Sequence, residues 1–316
     1  MYWGNDMRIL FIGPEDFGWF DYLSANVLHG LSELSDVELF TYVNYWFMYE
    51  GNKEEDLSKL YGRGYSYTNC IKKDNIQIIE ETKISEMIES HFFDIIIYSS
   101  LWRCLKFLDI VKKVYDKASV FFIDGEDYDN QPRIFHLGKL DPRLSIRTNK
   151  IERELCEHGT VFKRELALND SKYYFPISFA IPKKFIIDSI PEKTRDMAFV
   201  YPGRKETYIY KTMDSYYQGY RESKFGTTFK KGGWDCMRHY EILANGCIPY
   251  FPGIEKCPRT TMVSFPKNMV YESNILYDKN KFTDGLYNEF LSFYLDFTKR
   301  YLTTEALAKY LLSFCN

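Results

Sequence analysis

From residue 230 to residue 251 the chain reads Lys-Lys-Gly-Gly-Trp-Asp-Cys-Met-Arg-His-Tyr-Glu-Ile-Leu-Ala-Asn-Gly-Cys-Ile-Pro-Tyr-Phe. The residue types here could bind an anion. A helix N-terminus presents unpaired N–H groups and a partial positive charge, which together favour phosphate. Gly232 and Gly233 allow close backbone approach because neither has a Cβ. Asp235 is a good N-cap for the helix that follows. Lys230 and Lys231 add cationic donors suited to a diphosphate, and Arg238 and Glu241, three apart, share one helix face. Gly246 is placed to end the helix as a left-handed residue, before a short apolar strand over 247–251.

Other motifs that could carry chemistry are missing. The first loop, Gly13-Pro-Glu-Asp-Phe-Gly18, is followed by Trp19, not by Lys and Ser or Thr, so it is no P-loop; nor is it the Gly-x-Gly-x-x-Gly of dinucleotide binding. There is no Gly-x-Ser-x-Gly elbow, no His-Glu-x-x-His, and no Cys/His cluster at metal spacing. The seven cysteines are scattered and odd in number, which fits neither a disulfide framework nor a zinc site and points to a reducing, cytoplasmic setting.

The elements that must position these residues follow from hydrophobic pattern. Apolar strands are expected at 7–13, 37–43, 94–98 and 119–124, with helices at 19–34, 79–89 and 103–115 between them. Such alternation, with strands apolar on both faces, is the mark of a parallel sheet covered by helices. Residues 182–196 carry two prolines and a charged cluster and read as a crossing segment. The alternation then restarts with a strand at 197–201, a helix at 206–221, a strand at 247–251, a further strand near Met269–Tyr271, and closing helices at 284–299 and 304–314. The expected fold is therefore α/β, with two Rossmann-like domains at 1–181 and 182–316 and ligands beyond the carboxyl ends of the strands.

Composition is that of a globular protein. Of 316 residues, 45% are hydrophobic and 27% charged, and the formal charge of -3 comes with no long basic stripe, which argues against nucleic acid as the main partner. No apolar run reaches the ~20 residues that span a bilayer. Aromatic residues make up 18%, mostly Tyr and Phe, a content that suits binding sugars or bases but is explained more simply by a low-GC genome that writes Tyr and Phe freely.

The segment 229–251 resembles the donor-binding segment of exostosin-like glycosyltransferases, which carry a Gly-containing loop, an Arg, a Glu three residues on and a closing Gly-Cys-Ile-Pro. More broadly it is similar to the nucleotide-sugar domain of glycosyltransferases with two facing Rossmann-like domains, the GT-B fold. Lys-Gly-Gly stands where exostosins often have Pro-Gly. The resemblance implies a nucleotide-sugar donor, a glycan or lipid-linked acceptor, and a diphosphate at the helix N-terminus. Arg238 takes the position of the motif Arg, and Glu241 that of the acid reaching ribose or sugar hydroxyls. Arg204, in Tyr201-Pro-Gly-Arg204, is where such enzymes often bring a basic residue to the donor phosphates. It implies no cofactor and no bound metal, although Asp127-Tyr-Asp129 comes close to a metal-binding triplet and keeps a metal-dependent sugar transferase open. A base, if the reaction inverts, should come from the first domain: Asp16, Glu126 or Asp127, with His136 in reserve. Lys163 and Arg164 could aim into the interdomain cleft, though an exposed basic pair is the simpler expectation. Trp19, Trp102 and Trp234 could stack on a sugar or fill the core. A catalytically silent nucleotide- or glycan-binding protein of the same fold is the alternative function.

Overall fold

The computed structural model describes residues 7–16, 20–127, 135–136, 139–140, 151, 153–166 and 173–315. The strands of the first half are β1 (Met7–Ile12), β2 (Val37–Thr41), β3 (Gln77–Ile78), β4 (Ile95–Tyr98), β5 (Val120–Asp124), β8 (Thr160–Lys163) and β9 (Phe175–Pro176). They form one seven-stranded sheet in the order β3-β2-β1-β4-β5-β8-β9, every pairing parallel. Between β5 and β8 the short strands β6 (Phe135–His136) and β7 (Lys139–Leu140) pair as an antiparallel ribbon. Ile9, Leu10, Phe11 and Ile12 are all fully buried, as are Ile96, Ile97 and Tyr98 in β4 and Phe121, Phe122 and Ile123 in β5. Burial on both faces is why these strands are written as unbroken apolar runs without alternation.

Helices α1 (Tyr22–Ser32), α2 (Glu81–Glu89) and α3 (Leu108–Val114) flank this sheet. From β1 the chain builds outward to β2 and β3, then returns to build β4 and β5 on the other side. The order therefore reverses between β1 and β4, and the crevice beyond their carboxyl ends is the place where such sheets bind ligands.

The second half has β10 (Arg195–Met197), β11 (Ser223–Thr227) and β12 (Ile248–Tyr250), a parallel three-stranded sheet in that order. Helix α4 (Met213–Arg221) joins β10 to β11, and α5 (Met237–Ala244) joins β11 to β12. α4 opens with a reciprocal cap, Thr212 Oγ1 accepting from Ser215 N–H at 3.1 Å and Ser215 Oγ accepting from Thr212 N–H at 3.3 Å. Helices α6 (Lys267–Asp278), α7 (Asp284–Tyr301) and α8 (Thr304–Leu312) follow.

α8 crosses back to the first half. Thr304 N–H donates to Ile181 O at 3.2 Å, Ile181 N–H to Leu302 O at 2.9 Å, and Tyr310 OH to Pro176 O at 2.7 Å. The Phe314 ring lies 4.5 Å from that of Phe175. α1 meets α8 so closely that a Cβ on Gly30 would run into the backbone carbonyl of Thr304.

The α/β class and the parallel sheets covered by helices are as the sequence pattern indicates. Several elements differ. Residues 269–271, expected as a strand, lie inside α6, because Met269, Val270 and Ser273 serve a one-sided helical burial. The helix expected from residue 103 starts at Leu108, and that expected from 206 starts at Met213 after a short 3-10 turn over Lys205–Thr207. The strand expected at 197–201 sits earlier, at Arg195–Met197.

Candidate functional site

The 228–236 loop brings the chain from β11 to α5. Asp235 does not cap the helix. The N-cap is Cys236, which makes no side-chain capping bond, and the Asp235 carboxylate turns inward: Oδ2 accepts from Phe179 N–H at 2.8 Å and Oδ1 from Tyr240 OH at 2.9 Å. Burial pushes its carboxyl up to about 6, against the pull of the Arg164 charge. The loop's N–H groups are instead held by Glu165, from the turn after β8, whose Oε2 accepts from Trp234 N–H at 3.0 Å and Oε1 from Asp235 N–H at 2.9 Å. A Cβ at Gly233 would collide with the Glu165 carboxylate, and one at Gly232 with that of Asp127. Both glycines thus admit acidic side chains of the first half against the loop backbone.

Within α5, Arg238 and Glu241 share a face lined by tyrosines. Arg238 Nη2 donates to Tyr208 OH at 3.0 Å, while its Nε and Nη1 are buried and make no hydrogen bond. The guanidinium stays charged despite its burial, with Cys236, Tyr216, Tyr220 and Tyr208 around it. Glu241 is 4% exposed. Its Oε2 accepts from Tyr216 OH at 2.7 Å and its Oε1 from the Ser66 hydroxyl, which also meets Tyr217 OH at 2.8 Å. Burial raises the Glu241 carboxyl above the usual range, while Ser66, Tyr216 and Arg238 act in the other direction. His239 is fully buried, donating Nε2–H to Trp234 O at 2.8 Å and accepting at Nδ1 from the Thr228 hydroxyl at 2.9 Å. Burial takes its pKa down to about 3, so it is a neutral structural residue. Gly246 follows the helix at φ 61, the left-handed terminator that the spacing indicates.

Arg204 stacks over the Tyr201 ring at 4.5 Å, and Tyr201 lies 5.7 Å from Phe229. Lys231 is exposed, and Lys230 sits 5.1 Å from the Trp234 ring, itself stacked 6.3 Å from Phe251. Phe199, Tyr201 and Tyr208 show 49%, 39% and 44% of their surface to solvent on the same rim. Tyr208 was not singled out by the sequence; only the folded loop carries it to Arg238.

The rim of the first sheet holds the other candidates. Asp16 is exposed on the loop after β1. Glu126 Oε1 receives Arg103 Nη2 at 3.0 Å and Nε at 3.2 Å, and Arg103 Nη1 also reaches Asp21 Oδ2 at 3.3 Å. Asp127 is paired with Arg164. Lys163 and Arg164 are not an exposed pair. Lys163 is buried against Asp124, and Arg164 is 1% exposed, donating Nε–H to Gly125 O at 3.0 Å and Nη1–H to Asp235 O at 2.5 Å. It also lies 4.7 Å over the Phe179 ring. The loop alternation offers no periodicity from which this burial could be read. His136 falls on β6; Trp19 and Asp129 lie outside the described residues. Among the described residues no three His, Cys, Asp or Glu side chains gather as a metal site, and no helix is long and apolar enough to cross a membrane.

No family model and no curated protein matches the chain. Solved structures do. The chain is similar to an α-glucosyltransferase in complex with UDP and a 13-mer DNA containing a central A:G mismatch, at TM-score 0.44 and 12% identity over 98% of this chain and 100% of that one. A second α-glucosyltransferase structure, with UDP and a 13-mer DNA containing an HMU base, gives TM-score 0.44 and 11% identity over the same shares. CalG4, the calicheamicin glycosyltransferase, gives 0.40 and 8% over 98% of each chain.

With these geometries, the sequence-derived residues fall into two groups. Arg238, Glu241 and the tyrosines around them form one locus. Gly232, Gly233, Asp235 and Asp127 form a second, knitted to Arg164 and Glu165, which ties the rim of the first sheet to the glycine loop of the second.

Proposed function

We propose that this protein is a glycosyltransferase of the two-domain GT-B type, moving a sugar from a nucleoside-diphosphate donor to a glycan or glycolipid acceptor. The observation that carries this reading is Arg238: a charged guanidinium whose buried Nε and Nη1 find no hydrogen-bond partner among the described residues. Leaving such donors unmatched costs about 1–3 kcal/mol, more for a charged group, so the site is built for an incoming acceptor of hydrogen bonds. A diphosphate fits that need, and Lys230, Lys231 and Arg204 stand on the same rim to share its charge. The exostosin-like pattern of residues 229–251 supports the same assignment. The division we favour puts residues 1–181 on the acceptor side and 182–316 on the donor side. In this reading the leaving diphosphate is stabilised by these side chains without a metal or cofactor, and Asp127, paired with Arg164, is not a metal ligand. No nucleic acid is required as partner, and the setting is cytoplasmic.

A second reading, a silent nucleotide- or glycan-binding protein, draws on Glu241, both of whose oxygens are taken by Ser66 and Tyr216. Thermal shift against UDP, GDP, dTDP, ADP and CMP, with and without EDTA, tests the primary reading, since a ligand of the native state raises the melting temperature. One EDTA-insensitive hit that Arg238→Met removes supports it. Silence across the panel refutes it, and binding without turnover of any sugar nucleotide favours the silent protein.

A further inference from the structure

Asp21, Glu126 and Asp127 lie on the rim of the first sheet, and each has a cationic partner. Glu126 receives two hydrogen bonds from Arg103, and Asp127 is paired with the buried Arg164. The third, Asp21, ends the loop after β1, while its partner Arg103 belongs to the loop after β4. These two loops flank the point where strand order reverses, so the pair stands at the mouth of the ligand crevice.

Two more contacts describe its surroundings. A Cβ at Gly125 would sit 3.4 Å from both Asp21 oxygens, so glycine there leaves one atom's width open beside the carboxylate. The Asp21 side chain is 19% exposed. Gly125 O accepts from Arg164 Nε, and Arg164 Nη1 reaches Asp235 O, so the residue beside Asp21 is linked through Arg164 to the glycine loop.

Resting on the glycosyltransferase reading above, we propose that Asp21 is the general base of the transfer, held in place by Arg103. The acceptor hydroxyl gives its proton to the Asp21 carboxylate as its oxygen bonds to the anomeric carbon. The bond from that carbon to the diphosphate oxygen breaks, and its electron pair leaves with the diphosphate. Burial raises the Asp21 carboxyl above the usual range, as suits a base working near neutrality; Ser24 N–H, Arg103 and Arg164 pull it down and Glu126 pushes it up.

Asp21→Asn is the decisive variant because the α1 cap survives in it: Asp21 Oδ1 accepts from Ser24 N–H at 2.8 Å, and Asn is as good an N-cap. Release of UDP, GDP or dTDP from UDP-glucose, GDP-mannose and dTDP-glucose, with water as acceptor, is measured alongside nucleotide binding. The expected result is unchanged melting and nucleotide affinity with turnover reduced about 100-fold or more. In Arg103→Met the acid limb of the pH–rate profile should move to higher pH, a shift that a merely structural residue would not produce. Turnover by Asp21→Asn within about threefold of wild type overturns the assignment while leaving the enzyme reading intact. Absence of both binding and turnover in the wild-type protein instead overturns the reading, and Asp21 with it.

Discussion

Glu165, on the turn after β8, accepts the backbone N–H of Asp235 at 2.9 Å, and its other oxygen accepts that of Trp234 at 3.0 Å. A side chain of the first sheet thereby fixes the loop leading into α5, whose N-cap, Cys236, makes no side-chain capping bond. Burial raises the Glu165 carboxyl, against the pull of Arg164 and the two N–H groups.

The clearest consequence concerns Glu165→Gln. The amide keeps one acceptor oxygen but turns an NH2 toward the second backbone donor, which then stays unmet in a buried site. Stability should fall by about 2–3 kcal/mol, read as a lower urea midpoint at unchanged slope. A midpoint equal to wild type would show that the loop is held by other contacts.

Gly233→Ala should destabilise for a related reason, since its methyl group enters the space of the Glu165 carboxylate. Combining it with Glu165→Ala removes the obstacle, so the double variant should lose less than the sum of the two single losses. Strict additivity in denaturant titrations would argue that the two residues do not meet in solution.

Arg238→Met should separate binding from folding. It removes two buried donors that lack partners, so the folded state should be no less stable, and nucleoside diphosphate affinity should fall at least about tenfold. Calorimetric titration with the hit from the nucleotide panel reads the affinity. Equal affinities for variant and wild type would make Arg238 a packing residue.

Glu241 calls for a gentler change than truncation. Glu241→Ala strands the Ser66 and Tyr216 hydroxyls in a buried tyrosine cluster and should cost about 2–4 kcal/mol. Glu241→Gln keeps the volume, and with the nucleotide bound should show whether the carboxylate acts on the donor: turnover reduced at least about tenfold is expected in a protein that melts cooperatively. Wild-type turnover in this variant would assign Glu241 to structure.

Stability should also decline in mild acid. His29, whose Nε2–H donates to Cys70 O at 3.1 Å, is depressed to about 4 by burial, and His239 to about 3, from an ordinary value near 6.5. Below that ordinary value the unfolded chain takes up protons the folded chain refuses. Unfolding free energy therefore drops by about 1.4 kcal/mol per pH unit for each histidine. Asp235, raised to about 6, takes up its proton earlier in the folded state and offsets part of this below pH 6. In His29→Gln the decline between pH 6.5 and 5 should be shallower than in wild type, as followed by urea unfolding. Parallel curves would mean that His29 takes up its proton equally in the folded and unfolded protein.

By itself the sequence determined the class of fold and the line of the central strands. β1, β4 and β5 are buried on both faces, so each had to be a continuous apolar run, and that run is visible without any partner. It also determined the helix over 237–244 and its left-handed terminator at Gly246, because spacing on one helix and the absence of a Cβ are local properties. β8, β9 and β11 were not legible: Ser223-Lys-Phe-Gly-Thr227 has no apolar run, and pairing with β10 and β12 alone makes it a strand. Long-range contact likewise decided the state of the charged groups. Lys163 and Arg164 read as an exposed basic pair until Asp124 and the glycine loop of the other sheet close on them. Asp21 falls inside the helix expected at 19–34; only the folded chain makes it the cap of α1 and brings Arg103, 82 residues further along, beside it. Burial and partner set the charge and protonation of an ionisable side chain, and both are properties of the folded chain rather than of the residue's neighbours in sequence.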